Sequence, residues 1–331
     1  MQIRRLNPAE NPRDAAAVQP ALRQWRRDYM PDLPPGGEIR LRHWCTAGYT
    51  GEVVVFGVFA DEQATEAYGM SVCGYSTKNN LDLTWADVNV TAEGRELGAE
   101  TALFEALLRL NLELGRKRLA IGMPQTMVPA PFVEEYDGRL TDTAIMSTLD
   151  LDTIDRAQFE AWAEPSAKNE QYTLVGWTGR CPDELAESFC SAMDAMADQP
   201  LGEFEYTFDK YSVDRLRWNE AEIDRLGARR YVQAALDPDG NVAAFNMIGT
   251  YPDEPTSSEI WDTGVVRGHR GHGLGLRVKA AANLWLLEDR PSTRMIRTYN
   301  NNENHWMLAV NRTMGYRPRV DFPGYEFAVA G

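Results

Sequence analysis

The stretch Arg270-Gly-His-Gly-Leu-Gly275 is the part of the sequence best suited to binding chemistry. Glycines at 271, 273 and 275 permit positive φ and let the backbone approach a ligand with no Cβ in the way. The stretch follows a strand candidate, Ile260–Val265, and opens a helix candidate, Leu274–Leu287. Successive N–H groups converging in such a turn, together with the positive end of a helix, make a site for phosphate. A tight turn whose glycines serve packing alone is the alternative, and the glycines by themselves do not choose between the two. Both common nucleotide motifs fail here: Leu276-Arg277 follows the last glycine where a Walker loop needs Lys-Ser/Thr, and Leu276 stands where the dinucleotide fingerprint needs a third glycine. Two carboxylates, Glu259 and Asp262, precede the turn on the strand. A regular strand would send them to opposite faces and put Glu259 on the face of Val265.

The elements that position this turn come in duplicate. Shifted by 175 residues, Val90, Arg95 and Gly98 fall on Val265, Arg270 and Gly273. Ala99, Leu103, Ala106 and Leu110 fall on Leu274, Val278, Ala281 and Trp285, a spacing that predicts one buried face of an amphipathic helix in each half. Leu119-Ala-Ile121 falls on Arg294-Met-Ile296, a short strand after each helix. Hairpin candidates stand upstream: Arg230–Leu236 and Asn241–Ile248 around Asp237-Pro-Asp-Gly240, with Glu52–Ala60 and Ala67–Ser76 in the same place in the first half. A strand feeding a helix that packs back on its sheet is an α/β unit. The joint between halves is expected between Asp152 and Lys168, giving domains 1–160 and 161–331.

Composition narrows the classes. Of 331 residues, 44% are hydrophobic and 25% charged, as in folded globular proteins. No run of ~18 apolar residues is present, and the start MQIRRLNPAENPRD has no apolar core, so neither a membrane partner nor a secretory signal is expected. With 34 basic against 49 acidic residues, the formal charge of −15 disfavours nucleic acid and suits either a cationic substrate or plain solubility. Cys45, Cys73, Cys181 and Cys190 read as buried free thiols of a cytoplasmic protein. Together with His43, His269, His272 and His305 they form no metal-ligand spacing, so no metal is expected, and no Gly-x-Ser-x-Gly elbow supports a hydrolase. Homodimerisation is left open.

The turn resembles the acyl-CoA pyrophosphate loop of the GCN5-related N-acetyltransferases, Arg/Gln-x-x-Gly-x-Gly/Ala, here Arg270-Gly-His-Gly273-Leu-Gly275 with Val265 at the strand end. Thr298-Tyr-Asn-Asn-Asn-Glu-Asn304-His-Trp-Met307 and Val310-Asn-Arg-Thr-Met-Gly315-Tyr316-Arg317 are similar to the family's second motif. With the duplication, the chain looks like a tandem member, similar in plan to the two-domain mycothiol synthases. The resemblance implies an α/β fold (α+β in some schemes) of two domains, each a mixed, mostly antiparallel sheet flanked by helices. It implies acetyl-CoA as cosubstrate, with the backbone of Arg270, Gly271, His272, Gly273, Leu274 and Gly275 on the pyrophosphate. Val265 and Val266 would align pantetheine, and Asn304 would reach the cofactor. Arg277 and Lys279 would meet the 3′-phosphate or, as preferred, lie on a solvated helix face. In the first half Glu100 replaces the last glycine, with Glu93 and Glu96 nearby, so that half is expected to keep the fold without binding CoA productively.

The activity implied is acetyl transfer to an amine of a small molecule, with another acyl group, or a non-catalytic acyl-CoA-binding protein, as alternatives. Such transfer needs a base for the amine proton. Relatives carry it on the strand before the loop, where Glu259 ranks slightly ahead of Asp262. The family's thiolate-protonating tyrosine is replaced by Asn311, whose amide can hydrogen-bond sulfur but supplies no proton. Tyr299, Tyr316 or water would stand in. A relay through His269, His272 and His305 is less favoured than solvent-facing side chains. Trp44, Tyr49, Trp218 and Trp261 would line an acceptor pocket or, more simply, fill the core.

Overall fold

The computed structural model describes residues 1–329 as two compact units. Unit 1 comprises Met1–Ala144, Leu201–Thr207 and the chain from Val320 onward; unit 2 comprises Ile145–Pro200 and Phe208–Arg319. Through unit 1 run β1 (Gln2–Leu6), α1 (Pro12–Tyr29), α2 (Glu38–Trp44), β2 (Gly51–Phe59), β3 (Gly69–Ser76), β4 (Leu83–Val90), α3 (Ala92–Glu96), α4 (Ala99–Leu114), β5 (Arg118–Gly122), α5 (Pro131–Glu135) and the start of β6 (Arg139–Asp150). Unit 2 follows with α6 (Arg156–Ala163), β7 (Thr173–Thr178), α7 (Ala186–Met193), α8 (Val213–Arg225), β8 (Arg229–Leu236), β9 (Val242–Thr250), β10 (Ser257–Val265), α9 (Leu274–Asp289), β11 (Met295–Asn301) and α10 (His305–Thr313). The last strand, β12 (Arg317–Ala328), carries the chain back to unit 1. The passage from one unit to the other therefore falls inside β6, at Ala144, and the expected joint near residue 160 lies within α6 of unit 2. An unbroken strand of 12 residues offers no turn signal to mark such a passage.

Each unit has the mixed, mostly antiparallel sheet that the resemblance implies. In unit 1, β1, β2, β3 and β4 pair antiparallel in order, β5 lies parallel to β4, and β12 lies antiparallel to β5. In unit 2, β7, β8, β9 and β10 pair antiparallel and β11 lies parallel to β10. The duplication extends to register: Gly69 faces Val90 and Val72 faces Asp87, just as Ala244 faces Val265 and Met247 faces Asp262. In both units the long helix within the parallel crossover has 16 residues and starts at a left-handed glycine, Gly98 (φ +81°) or Gly273 (φ +74°).

The predicted stripe of α4, Ala99, Leu103, Ala106 and Leu110, is wholly buried. In α9, Leu274 and Val278 are buried but Ala281 and Trp285 only partly, while Arg277, Lys279 and Asn283 are drawn inward. The sheet covers one side of α9 and α6 another, so its burial is not confined to a single stripe.

Candidate functional site

The glycine turn of unit 2 is built to leave N–H groups free. Gly271 (φ +85°) and Gly273 (φ +74°) hold left-handed backbone, which side chains rarely adopt. A Cβ on Gly271 would meet nothing within 4 Å, and one on Gly273 would meet only Asn169 Nδ2, at 3.7 Å. No side chain caps α9, so the N–H groups of its first turn have no side-chain acceptor among the described residues. Leu274 anchors the turn by burying its side chain beside Val278. Along β10 the pairing with β11 ends at Glu259–Arg297, and the stretch from Ile260 to Val265 runs on beside β9 alone. The turn thus stands at the head of two parting strands.

Side chains behind the turn hold it in place. Asn169 Nδ2 donates to the His272 carbonyl (3.0 Å), His272 Nδ1 to the Lys168 carbonyl (2.9 Å), and Tyr172 hydroxyl bonds His269 Nδ1 (3.0 Å). These two histidines are braces and not solvent-facing loop residues; His305 starts α10 and is exposed. Arg277, buried, donates to the carbonyls of Ala163, Asn169 and Tyr172, tying α9 to the segment after α6. Lys279 is completely buried. Neither lies on a solvated face, and neither is placed to meet a phosphate. The preferred sequence reading and its alternative both fail for these two residues, because a basic side chain looks the same in sequence whether it faces water or buried carbonyls.

Other expected contacts are partly spent within the protein. Arg270 Nε donates to the Val265 carbonyl (3.1 Å) and its Nη2 to Asp198 (2.8 Å), while Arg267 reaches the other Asp198 oxygen (3.0 Å). The Arg267 and Arg270 bonds hold the Asp198 carboxyl below the usual range. The Val266 N–H is taken by the Ala243 carbonyl (2.9 Å). Asn304 caps α10, its Oδ1 accepting from the Met307 N–H (3.2 Å). Asn311 is buried, with both ends of its amide engaged by Lys279 and Asn300.

The two strand carboxylates change places in rank. A bulge at Trp261 shifts the register of β10, so Glu259 pairs with Gly249 and Asp262 with Met247. Directly paired residues project to the same side, and Gly249 and Met247 share one face of β9. Glu259 and Asp262 therefore share a face, while Val265, paired with Ala244, lies on the other. Both expectations from a regular strand are overturned by one extra residue. Trp261 lies against Gly249, which has no Cβ to obstruct it. Glu259 accepts from the fully buried Arg297 (2.8 Å), whose guanidinium also stands 3.9 Å from Glu254. That ion pair makes Glu259 a structural partner. Glu259→Gln is expected to lower stability by about 1–3 kcal/mol, read as a fall in Tm, because it leaves the buried guanidinium only the more distant Glu254 as an anionic partner. Asp262 stands apart from that ion pair. Burial pushes its pKa up to about 7 against the pull of Arg230 and Arg215.

Unit 1 keeps the strand acid and closes the turn. Asp87, at the register of Asp262, is pushed up to about 6 by burial, with a hydrogen bond from Trp44 acting the other way. Glu100, at the position of Gly275, is buried and paired with Arg95 Nε (2.7 Å). The Arg95 guanidinium also donates to the carbonyls of Met127 and Pro129 (3.0 Å each), drawing the turn shut.

Comparison with known proteins bears on the fold. No family model matches the sequence. Among solved structures, a tandem GNAT protein from the clavulanic acid biosynthesis pathway superposes with a TM-score of 0.81 over 100% of this chain and 99% of that one, at 19% identity. The chain has the tandem GCN5-related N-acetyltransferase fold. A GCN5-related N-acetyltransferase from Sphaerobacter thermophilus shares the tandem-fold chain's architecture less closely, with a TM-score of 0.62, 15% identity, and 99% and 96% of the two chains covered. By sequence, ribosomal protein uS12 methylthiotransferase RimO of Rhodopseudomonas palustris (strain HaA2) is 25% identical over 205 residues, 60% of this chain and 38% of that protein. The tandem-fold chain thus spans about two fifths of the length of the curated relatives it matches. Among the described residues, no group of three His, Cys, Asp or Glu is arranged to hold a metal, and no helix is long and apolar enough to cross a membrane.

Proposed function

We propose that unit 2 transfers the acetyl group of acetyl-CoA to an amine of a small molecule. The observation that carries this reading is the open glycine turn on an uncapped helix N-terminus, placed where β10 parts from β11. The cradle fits a diphosphate: free N–H groups converge where Cβ atoms would otherwise fill the space. The backbone from Arg270 to Gly275 would hold it. The cofactor, when bound, supplies an acyl group already activated as a thioester.

The protein's own part is to hold and to move a proton. An amine attacks only when neutral, and a carboxyl with a pKa of about 7 is matched to taking its proton at neutral pH. Asp262 is that base. Arg230 and Arg215 keep part of its ionised population against desolvation, and Tyr211 stands close enough to feel its charge. Unit 1, with Glu100 and Arg95 occupying its turn, binds no CoA in this reading.

Release of free thiol from acetyl-CoA, measured with a panel of primary amines, tests the proposal. Amine-dependent turnover is expected, with one CoA bound per chain. Binding without turnover on any amine would make unit 2 a binding module, and two CoA molecules per chain would contradict the closure of unit 1.

A further inference from the structure

The interior of unit 2 holds a lysine that no carboxylate pairs with among the described residues. The Lys279 ammonium donates to Asn311 Oδ1 and stands 4.7 Å from the centre of the Tyr316 ring. Burial pushes its pKa down to about 7. Tyr316, the titratable group packed on it, has its own hydroxyl pushed far above the ordinary range by burial and stays neutral.

Packing does not require this arrangement. At the offset of 175 residues Lys279 falls on Phe104, a fully buried ring of unit 1. The helix before the corner is displaced by three further residues, so Asn311 falls on Val133, which packs against the same apolar cluster as Phe104. An apolar pair fills these two places in unit 1, while unit 2 accepts the cost of desolvating an ammonium and an amide.

The polar pair leads outward. Asn311 Nδ2 donates to Asn300 Oδ1 at 2.7 Å. Which end of an amide is oxygen is ordinarily inferred from its neighbours. Here the protonated form of Lys279, which has only donors, settles it for the whole relay. Lys279 can meet only the oxygen of Asn311, the nitrogen of Asn311 then meets the oxygen of Asn300, and the relay ends on the Asn300 NH2 group. Asn300 is half-buried and lies on the part of β11 beyond Arg297, where pairing with β10 has ended.

We propose that Asn300 donates a hydrogen bond to the thioester sulfur during acyl transfer, and that Lys279 and Asn311 are positioning residues that fix which way its amide points. The inference rests on the acyl transfer assigned to unit 2. Asn300 gives up no proton in this role: its N–H bonds the sulfur as the electron pair of the acyl–sulfur bond moves there, and water supplies the neutralising proton. An amide relay thus replaces the tyrosine that the family resemblance places at 311.

Calorimetry with CoA and with desulfo-CoA, together with steady-state kinetics, tests this on the full chain. Wild type should prefer CoA by about three- to tenfold, the worth of one hydrogen bond. Asn300→Ala should bind the two alike and lose about 10- to 100-fold in kcat with KM for acetyl-CoA within about twofold. The double change Lys279→Phe with Asn311→Val, which copies the residues that unit 1 carries at these two places, should melt no lower than wild type and show the same two losses. A preference for CoA, or a kcat, that survives both variants overturns the relay. Wild type binding the two compounds alike refutes the relay alone, and wild type binding neither refutes the glycine-turn reading and the relay with it.

Discussion

Gly275→Glu is expected to weaken CoA binding by about 30- to 1000-fold while the melting temperature stays near that of wild type. A Cβ at position 275 would lie 3.6 Å from Val265 Cγ2, an ordinary contact, so the backbone has no steric reason to object. Gly275→Ala is therefore the matched control and should bind within a few-fold of wild type. The glutamate differs by its charge. A carboxylate about 4 Å from a diphosphate costs about 4 kcal/mol at an effective dielectric of 20, and about half of that if the side chain swings toward water. Each 1.4 kcal/mol is tenfold in affinity. Unit 1 demonstrates that the fold accepts a glutamate at this place, since Glu100 is buried there against Arg95. Calorimetry with CoA reads the result directly, and unchanged affinity would put the phosphates elsewhere.

Asp262→Asn is expected to lower kcat by about 10²- to 10⁴-fold with CoA affinity unchanged. The sign of the pH dependence follows from the role. A protonated carboxyl cannot take a proton from the amine, so wild-type activity should fall as pH drops through about 7 and level off above it. The asparagine variant should lose that inflection along with the rate. A profile of kcat/KM against pH for both proteins decides the matter. An inflection that persists in the variant would move the base to another group.

Much of this plan was legible in residue types and spacing. The glycine turn, the helix it opens and the strand before it lie where the spacing predicts, because left-handed glycines at a strand–helix junction leave a strong local mark. The duplication was legible for the same reason: Val, Arg and Gly recur at one offset, and the strand registers coincide residue for residue from Gly69 to Val72 and from Ala244 to Met247. What escaped depends on tertiary context. A bulge of one residue at Trp261 reversed the sidedness of Glu259 and Val265, and nothing in Glu-Ile-Trp-Asp-Thr announces an unpaired position. The engagement of Glu259 by Arg297 depends on a strand 38 residues further on. Lys279 was read as a surface residue because Arg277 and Lys279 flank a valine, the ordinary look of a solvated helix. The offset itself held the missing clue, since it lays Lys279 over Phe104, a core position.

β12 carries one more consequence. It lies antiparallel to β5, and its Phe327 is fully buried among Phe104 and Phe132. The amino-terminal unit is therefore finished by a strand that is made only after the whole of unit 2. During translation its first five strands wait with an unfilled edge and an aromatic cluster short of one ring until that strand arrives.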